Sequence, residues 1–202
     1  MNERVKRRNV LQLGVGLFAA LAHSTGQAQA RPARGNSPMD TVYTPVGKGI
    51  ITGRGKGDFD FLVGNWSIRH RKLKSAASPD WIEFSSGATV SRALDGLASI
   101  EELRNPDGSY LGMGVRVWQA DEKAWADHWT SAANGVVNPP QMGKFIDGEG
   151  VFTSKETIDG VHWIYRGVWD HITAHSCRWH QSSSADNGRT WSWDWWMEWT
   201  RI

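Results

Sequence analysis

The stretch Trp191-Ser-Trp-Asp-Trp-Trp-Met-Glu-Trp-Thr-Arg201 constrains the fold more than any other part of the chain. Successive side chains of a β-strand point to opposite faces. Trp191, Trp193, Trp195, Met197 and Trp199 therefore share one face, and Ser192, Asp194, Trp196, Glu198 and Thr200 the other. A strand so rich in indoles is a poor sheet edge, because an exposed apolar edge recruits other chains. It calls for a partner on each side. Five of the chain's 13 tryptophans lie here, a wall that either closes a core or lines a cavity for a flat, apolar ligand.

From Phe59 onward, runs of β-branched and aromatic residues alternate with turn signals, and almost nothing reads as helix. The expected strands are Phe61–Lys74, Trp81–Ala93, Ser99–Asn105, Ser109–Gln119, Trp125–Ser131, Lys144–Phe152 in two short pieces, Val161–Trp169, Ser176–Ser182 and Thr190–Arg201. Asp107-Gly108 and Asp159-Gly160 read as type I′ hairpin turns. The stretch from Asn134 to Gly143, with Asn138-Pro139-Pro140, is the longest connection and a candidate rim loop. The expected fold is all-β: an antiparallel up-and-down meander of about nine or ten strands closed into a barrel, which removes both edges. A two-sheet sandwich is the alternative. Gly112 and Gly114, inside a strand pattern, fit barrel bends or a close backbone approach.

Residues 1–30 read as an export leader. Arg7-Arg8-Asn9-Val10-Leu11 supplies a twin-arginine pair, an apolar run reaches Ala22, and Ala28-Gln29-Ala30 has the small-x-small pattern of a cleavage site. The run is shorter than the ~20 residues that span a bilayer, so no retained membrane anchor is expected. A Sec signal is the alternative to the twin-arginine route. The expected location is the periplasm or the exterior. Residues 31–57, with Pro32, Pro38, Pro45 and several glycines, read as a flexible tether before a domain over 58–202. The chain carries 23 Lys+Arg and 21 Asp+Glu; without the leader's four basic residues and one acidic residue, 19 remain against 20. The basic excess belongs to the leader, and nucleic-acid binding loses its compositional support. Cys177 is the only cysteine, so no intrachain disulfide is possible.

Ser184-x-Asp186-x-Gly188-x-Thr190-Trp191 matches an Asp-box, in which a carboxylate and hydroxyls satisfy turn amides while the indole packs beneath. One copy cannot build a propeller. Asp186, Gly188 and Trp191 are therefore given structural roles. The opening Asp58-Phe-Asp-Phe-Leu-Val-Gly64-Asn-Trp66 and the closing Trp199-Thr-Arg201 resemble the calycin superfamily of lipocalin-like barrels. More closely, the chain resembles a poorly characterised bacterial lipocalin-like family with an F-D-F-x-x-G-x-W opening and a late S-x-D-x-G-x-T-W. The resemblance implies that Gly64 and Trp66 close the base of the barrel and that Arg201 stacks on Trp66. Its motifs are structural and name no activity.

Alternation puts His70 on the side of Trp66, either above a cavity floor or at a solvated rim. Glu83 is a surface carboxylate or an acid inside the barrel. Arg116 shares a face with Trp118, and His128 adjoins Trp129. Tyr165 shares parity with Trp163 and Trp169. These residues suit a cofactor-free site: His70 or His128 as proton acceptor, Tyr165 or Glu83 as donor, and Arg116 beside an oxyanion. Trp118, Trp129, Trp169, Trp193 and Trp195 are the candidate ligand contacts. His171, His175, Cys177 and His180 match no zinc spacing, so neither metal nor cofactor is expected. The extended glycine-rich opening of a histidine-ligated, haem-binding barrel family is missing as well.

Three functions fit this reading. The first is an exported barrel that binds a small hydrophobic or aromatic molecule. The second is a cofactor-independent lyase, isomerase or cyclase acting on such a molecule by general acid–base chemistry. The third is a structural module with a filled barrel. Oligomeric state stays open.

Overall fold

The computed structural model describes residues 51–75 and 78–202; the leader and the tether as far as residue 50 lie outside the described residues. Ten strands follow in order: β1 (Gly64–Leu73), β2 (Trp81–Ala93), β3 (Ala98–Arg104), β4 (Tyr110–Gln119), β5 (Ala124–Ser131), β6 (Gln141–Ile146), β7 (Glu149–Ile158), β8 (Val161–Asp170), β9 (Ser176–Ser184) and β10 (Ser192–Arg201). Each pairs antiparallel with its sequence neighbours, and β1 pairs with β10, so the meander closes into a barrel and no edge is left. No helix among the described residues is long and apolar enough to cross a membrane.

The turns explain the register. Asp159 (φ 50°) and Gly160 (φ 79°) are both left-handed, as a type I′ turn requires, and Asp147-Gly148 (φ 51° and 83°) forms the equivalent turn between β6 and β7. Asp107-Gly108 departs from the expectation. Only Gly108 has positive φ, and Asp107 instead accepts the Ser109 amide at 2.9 Å. A register shift beside it, between Leu103 and Arg104, absorbs the difference.

One end of the barrel is plugged. Phe59, Phe61 and Leu62, around a short 3₁₀ turn at Asp60–Leu62, enter the base and meet Trp125, Phe145, Phe152 and Trp169. Phe59 contacts Trp125 and Phe145 edge-on, with centroids 4.9 and 5.0 Å apart. Trp66 is fully buried beside Trp199, and its Nε1 donates to the Leu62 carbonyl at 2.7 Å. The Arg201 guanidinium lies 4.2 Å from the Trp66 ring centroid and donates to the carbonyls of Phe61, Val63 and Ala174. This is the stack expected from the two ends of the domain. Gly64 is required there: at φ 127°, a Cβ would come within 2.6 Å of Arg201 Nη1.

The end of the expected tether, residues 51–57, packs on this plugged end. Asp58 is fully buried and gathers the strap. Its Oδ1 accepts from the amides of Thr52 and Gly53 at 2.8 and 3.0 Å, and its Oδ2 from the Gly55 amide at 2.8 Å. Asp58→Asn turns a donor toward these donors. The expected cost is about 2–3 kcal/mol, read as a lower urea midpoint with unchanged slope. A midpoint equal to wild type would refute the role.

Candidate functional site

Above the plug the barrel holds an open-mouthed cavity of about 210 Å³. One wall is aromatic, formed by Trp169 of β8, Trp179 of β9, and Trp195, Met197 and Trp199 of β10. The facing wall is a row of polar side chains at one level of the pleat. Ser99, Arg116, Asp127 and Gln141 are successive cross-strand partners on β3–β6. The β6–β7 register brings Ser154 beside Gln141, and Ser154 pairs in turn with Tyr165 on β8. All but Ser99 line the cavity.

Arg116 anchors the row. Its side chain is 5% exposed; Nη2 donates to Glu101 Oε2 at 2.6 Å, and Nε lies 3.4 Å from Asp127 Oδ1. The guanidinium also rests 5.1 and 5.2 Å from the ring centroids of Phe59 and Trp169. Its Nη1 has no hydrogen-bond partner among the described residues. Gly112 and Gly114 clear the space. A Cβ at Gly112 would lie 2.4 Å from the Trp129 ring, and one at Gly114 would lie 3.3 Å from Arg116 Nη2. Burial pushes the Asp127 carboxyl up, against the lowering pull of Arg116. Tyr165 is pushed up by burial and by the neighbouring carboxylates of Glu156 and Asp194.

His70 is fully buried and stacks on Phe84 with ring centroids 4.3 Å apart. Trp195 Nε1 donates to His70 Nδ1 at 3.1 Å, so the ring proton sits on Nε2 and is donated to Ser86 Oγ at 2.6 Å. Burial, reinforced by Lys72, pushes its pKa down to about 3. With its one acceptor lone pair occupied, this imidazole has none left to take a proton from a ligand. The expected base is a neutral strut that orients Trp195. Beside it, Lys72 Nζ lies 3.8 Å from the Trp195 ring centroid and is pushed down by burial to about 8. Asp194, hydrogen-bonded to Gln181 at 3.0 Å, is pushed up by burial to about 6.

The other expected residues divide. Arg116, Tyr165, Trp129, Trp169 and Trp195 line the cavity together. Trp118 lies deeper, packed on Trp125 at 5.8 Å and against Gly55, within the plug. Glu83 is exposed on the outer face, opposite Arg71. His128 faces outward too, with Nδ1 donating to the Asn138 carbonyl at 3.1 Å. It holds the rim loop in place, and Asn138 and Pro139 of that loop reach the cavity.

Trp193 also sits outside, for a local reason. A bulge between Trp193 and Trp195 breaks the alternation of β10 and turns Asp194 inward. On the outer surface Arg166 lies 3.8 and 5.2 Å from the ring centroids of Trp191 and Trp193. His180 stacks on Trp196 and meets Trp193 at a tilt, and Arg178 covers Trp196 while pairing with Asp170. The Asp-box closes as expected: Asp186 accepts from the Thr190 amide and hydroxyl at 2.9 and 2.7 Å, which hold its carboxyl down at about 2.

The histidines near Cys177 do not converge on it. Cys177 faces the buried interior opposite Trp199, whereas His180 faces out, and burial pushes the thiol up. Among the residues at the site, Glu101, Asp127, Gln141, Trp179 and Gln181 went unread in the sequence. Asp127 carried a usable signal, because it shares parity with Trp125 and Trp129.

No family model matches the chain, and no curated protein matches it. Among solved structures it is similar to the crystal structure of Rv2717c from M. tuberculosis, at 10% identity and a TM-score of 0.44, over 70% of this chain and 93% of that one.

Proposed function

We propose that this chain is an exported, calycin-type barrel that binds a small aromatic or hydrophobic molecule in its interior. The observation that carries the reading is the cavity of about 210 Å³, with an aromatic wall facing a row of polar side chains. An apolar cavity of about 150 Å³ holds one benzene ring. The space here suits one or two fused rings better than a tetrapyrrole or a long acyl chain. The aromatic wall supplies apolar contact area, and the few polar groups opposite fix orientation. The arginine–tryptophan stack at the base supports the calycin assignment. The twin-arginine leader supports export.

The test is tryptophan fluorescence of the mature chain titrated with 2-tetralone, 2-naphthol and palmitate. The two bicyclic compounds are expected to quench saturably and palmitate to leave the spectrum unchanged. Trp195→Leu, which removes an indole from the wall, is expected to weaken ring binding about tenfold. If no ring compound changes the emission, the binding reading falls and a structural role for the barrel takes its place. A second reading, a cofactor-independent isomerase or lyase, is favoured by one observation: the Asp127 carboxyl on the cavity wall.

A further inference from the structure

We infer that Asp127 is a proton-transferring residue, and that the cavity takes a small ring ketone whose acidic C–H is presented to it. This rests on the binding reading above. Asp127 lines the cavity, and its side chain keeps 16% exposure although its neighbours Glu101 and Arg116 keep only 4% and 5%. Arg116 Nε engages its Oδ1 from 3.4 Å, and neither oxygen is sealed from the cavity as a buried, unpartnered atom. The carboxyl is therefore held in place by a flanking guanidinium while an oxygen stays open to a ligand. Glu101 also lines the cavity, but its side chain is less exposed and takes the 2.6 Å hydrogen bond from Arg116 Nη2.

The surroundings match the chemistry. Arg116, nearly enclosed in the same wall, keeps Nη1 without a hydrogen-bond partner, and Tyr165 brings a phenol to the same polar row. Both are donors suited to a carbonyl oxygen that gains charge. The neighbouring Glu101 and Asp127 carboxylates offset the charge of Arg116, so a neutral carbonyl suits this wall better than a carboxylate. Burial of Asp127 brings its proton affinity nearer to that of an activated C–H. In the step, the Asp127 carboxylate takes the proton from the carbon beside the carbonyl. The C–H electron pair becomes a carbon–carbon double bond, and the carbonyl π pair moves onto oxygen, facing Arg116 and Tyr165. Return of a proton from Asp127 to the same carbon restores the ketone, and return to a conjugated position gives its isomer. Nothing is oxidised or reduced, and no co-reactant is needed.

The experiment follows exchange of the C1 protons of 2-tetralone for deuterium by proton NMR in buffered D2O, with its affinity measured in parallel by tryptophan fluorescence. Wild type is expected to speed exchange at least about a hundredfold over buffer. Asp127→Asn is expected to lose about 10²–10³ of that rate while its Kd stays within about threefold. If Asp127→Asn does not fold, Asp127→Glu keeps the charge beside Arg116 but moves it, and a loss of about tenfold or more at unchanged Kd is expected. Binding by wild type without faster exchange overturns the inference and leaves the binding reading standing. So does exchange by the folded variant at the wild-type rate. No fluorescence response to 2-tetralone removes the binding reading for ring ketones, and this inference with it.

Discussion

Arg116→Met is expected to destabilise the barrel by about 3–5 kcal/mol, the usual cost of removing one partner from a buried ionic cluster. The loss would not come mainly from the guanidinium's own contacts. Glu101 and Asp127 would be left as two carboxylates in one wall, with side chains 4% and 16% exposed and no counter-charge between them. The companion variant separates this cause from lost packing against Phe59 and Trp169. Glu101→Gln added to Arg116→Met removes the nearer stranded charge and is expected to recover more than half of the loss in urea unfolding. A double variant no more stable than Arg116→Met alone would assign the loss to packing. An apolar pair would serve stability equally well, so the retention of three charges here supports a role for the wall in the cavity.

His70→Gln is expected to flatten the acid side of the stability profile. The folded chain holds His70 near a pKa of about 3, against 6.5 for an ordinary histidine. Between those values the unfolded chain takes up a proton that the folded chain refuses. Stability is therefore full above about pH 6.5 and falls as the pH drops toward 3. At 1.36 kcal/mol per unit, the total approaches roughly 5 kcal/mol. Asp194 acts with the opposite sign. Raised to about 6, it adds stability as the pH falls from about 6 toward 4, so the wild-type curve alone understates His70. Glutamine can still donate to Ser86 and accept from Trp195, and it does not titrate. The measurement is urea unfolding of both proteins between about pH 7.5 and 3.5. The wild type's advantage should shrink by several kcal/mol on acidification, and parallel curves would sink the assignment.

Strand periodicity was legible because a barrel buries one face and solvates the other. β2 has the expected limits, Trp81–Ala93, and the remaining boundaries moved by a few residues. β7 runs on to Ile158, past the expected end at Phe152, because Ser154 and Glu156 point into a polar part of the interior, where the apolar signal fades. That same polarity hid Asp127 and Gln141: alternation marks a face, but not which stretch of that face borders a void. Trp193 was misplaced because a bulge changes parity without leaving a composition mark. Alternation put His70 on the side of Trp66 and left a cavity floor and a solvated rim both open; the ring is fully buried. Its role was invisible, because it depends on two partners, Ser86 and Trp195, that only the closed barrel brings to its two nitrogens.

The strand order also bears on how the chain reaches this state. Every ladder joins sequence neighbours except the one between β1 and β10, which runs from Trp66 against Arg201 to Lys72 against Trp195. Hairpins form in microseconds, whereas a contact between chain ends must wait for everything between them. Until that last seam closes, the strand carrying Trp193, Trp195, Trp196 and Trp199 is an open, sticky margin, and the Arg201 stack on Trp66 cannot exist. The cation at the end of the chain is thus the latch of the closing step as well as a contact of the finished barrel.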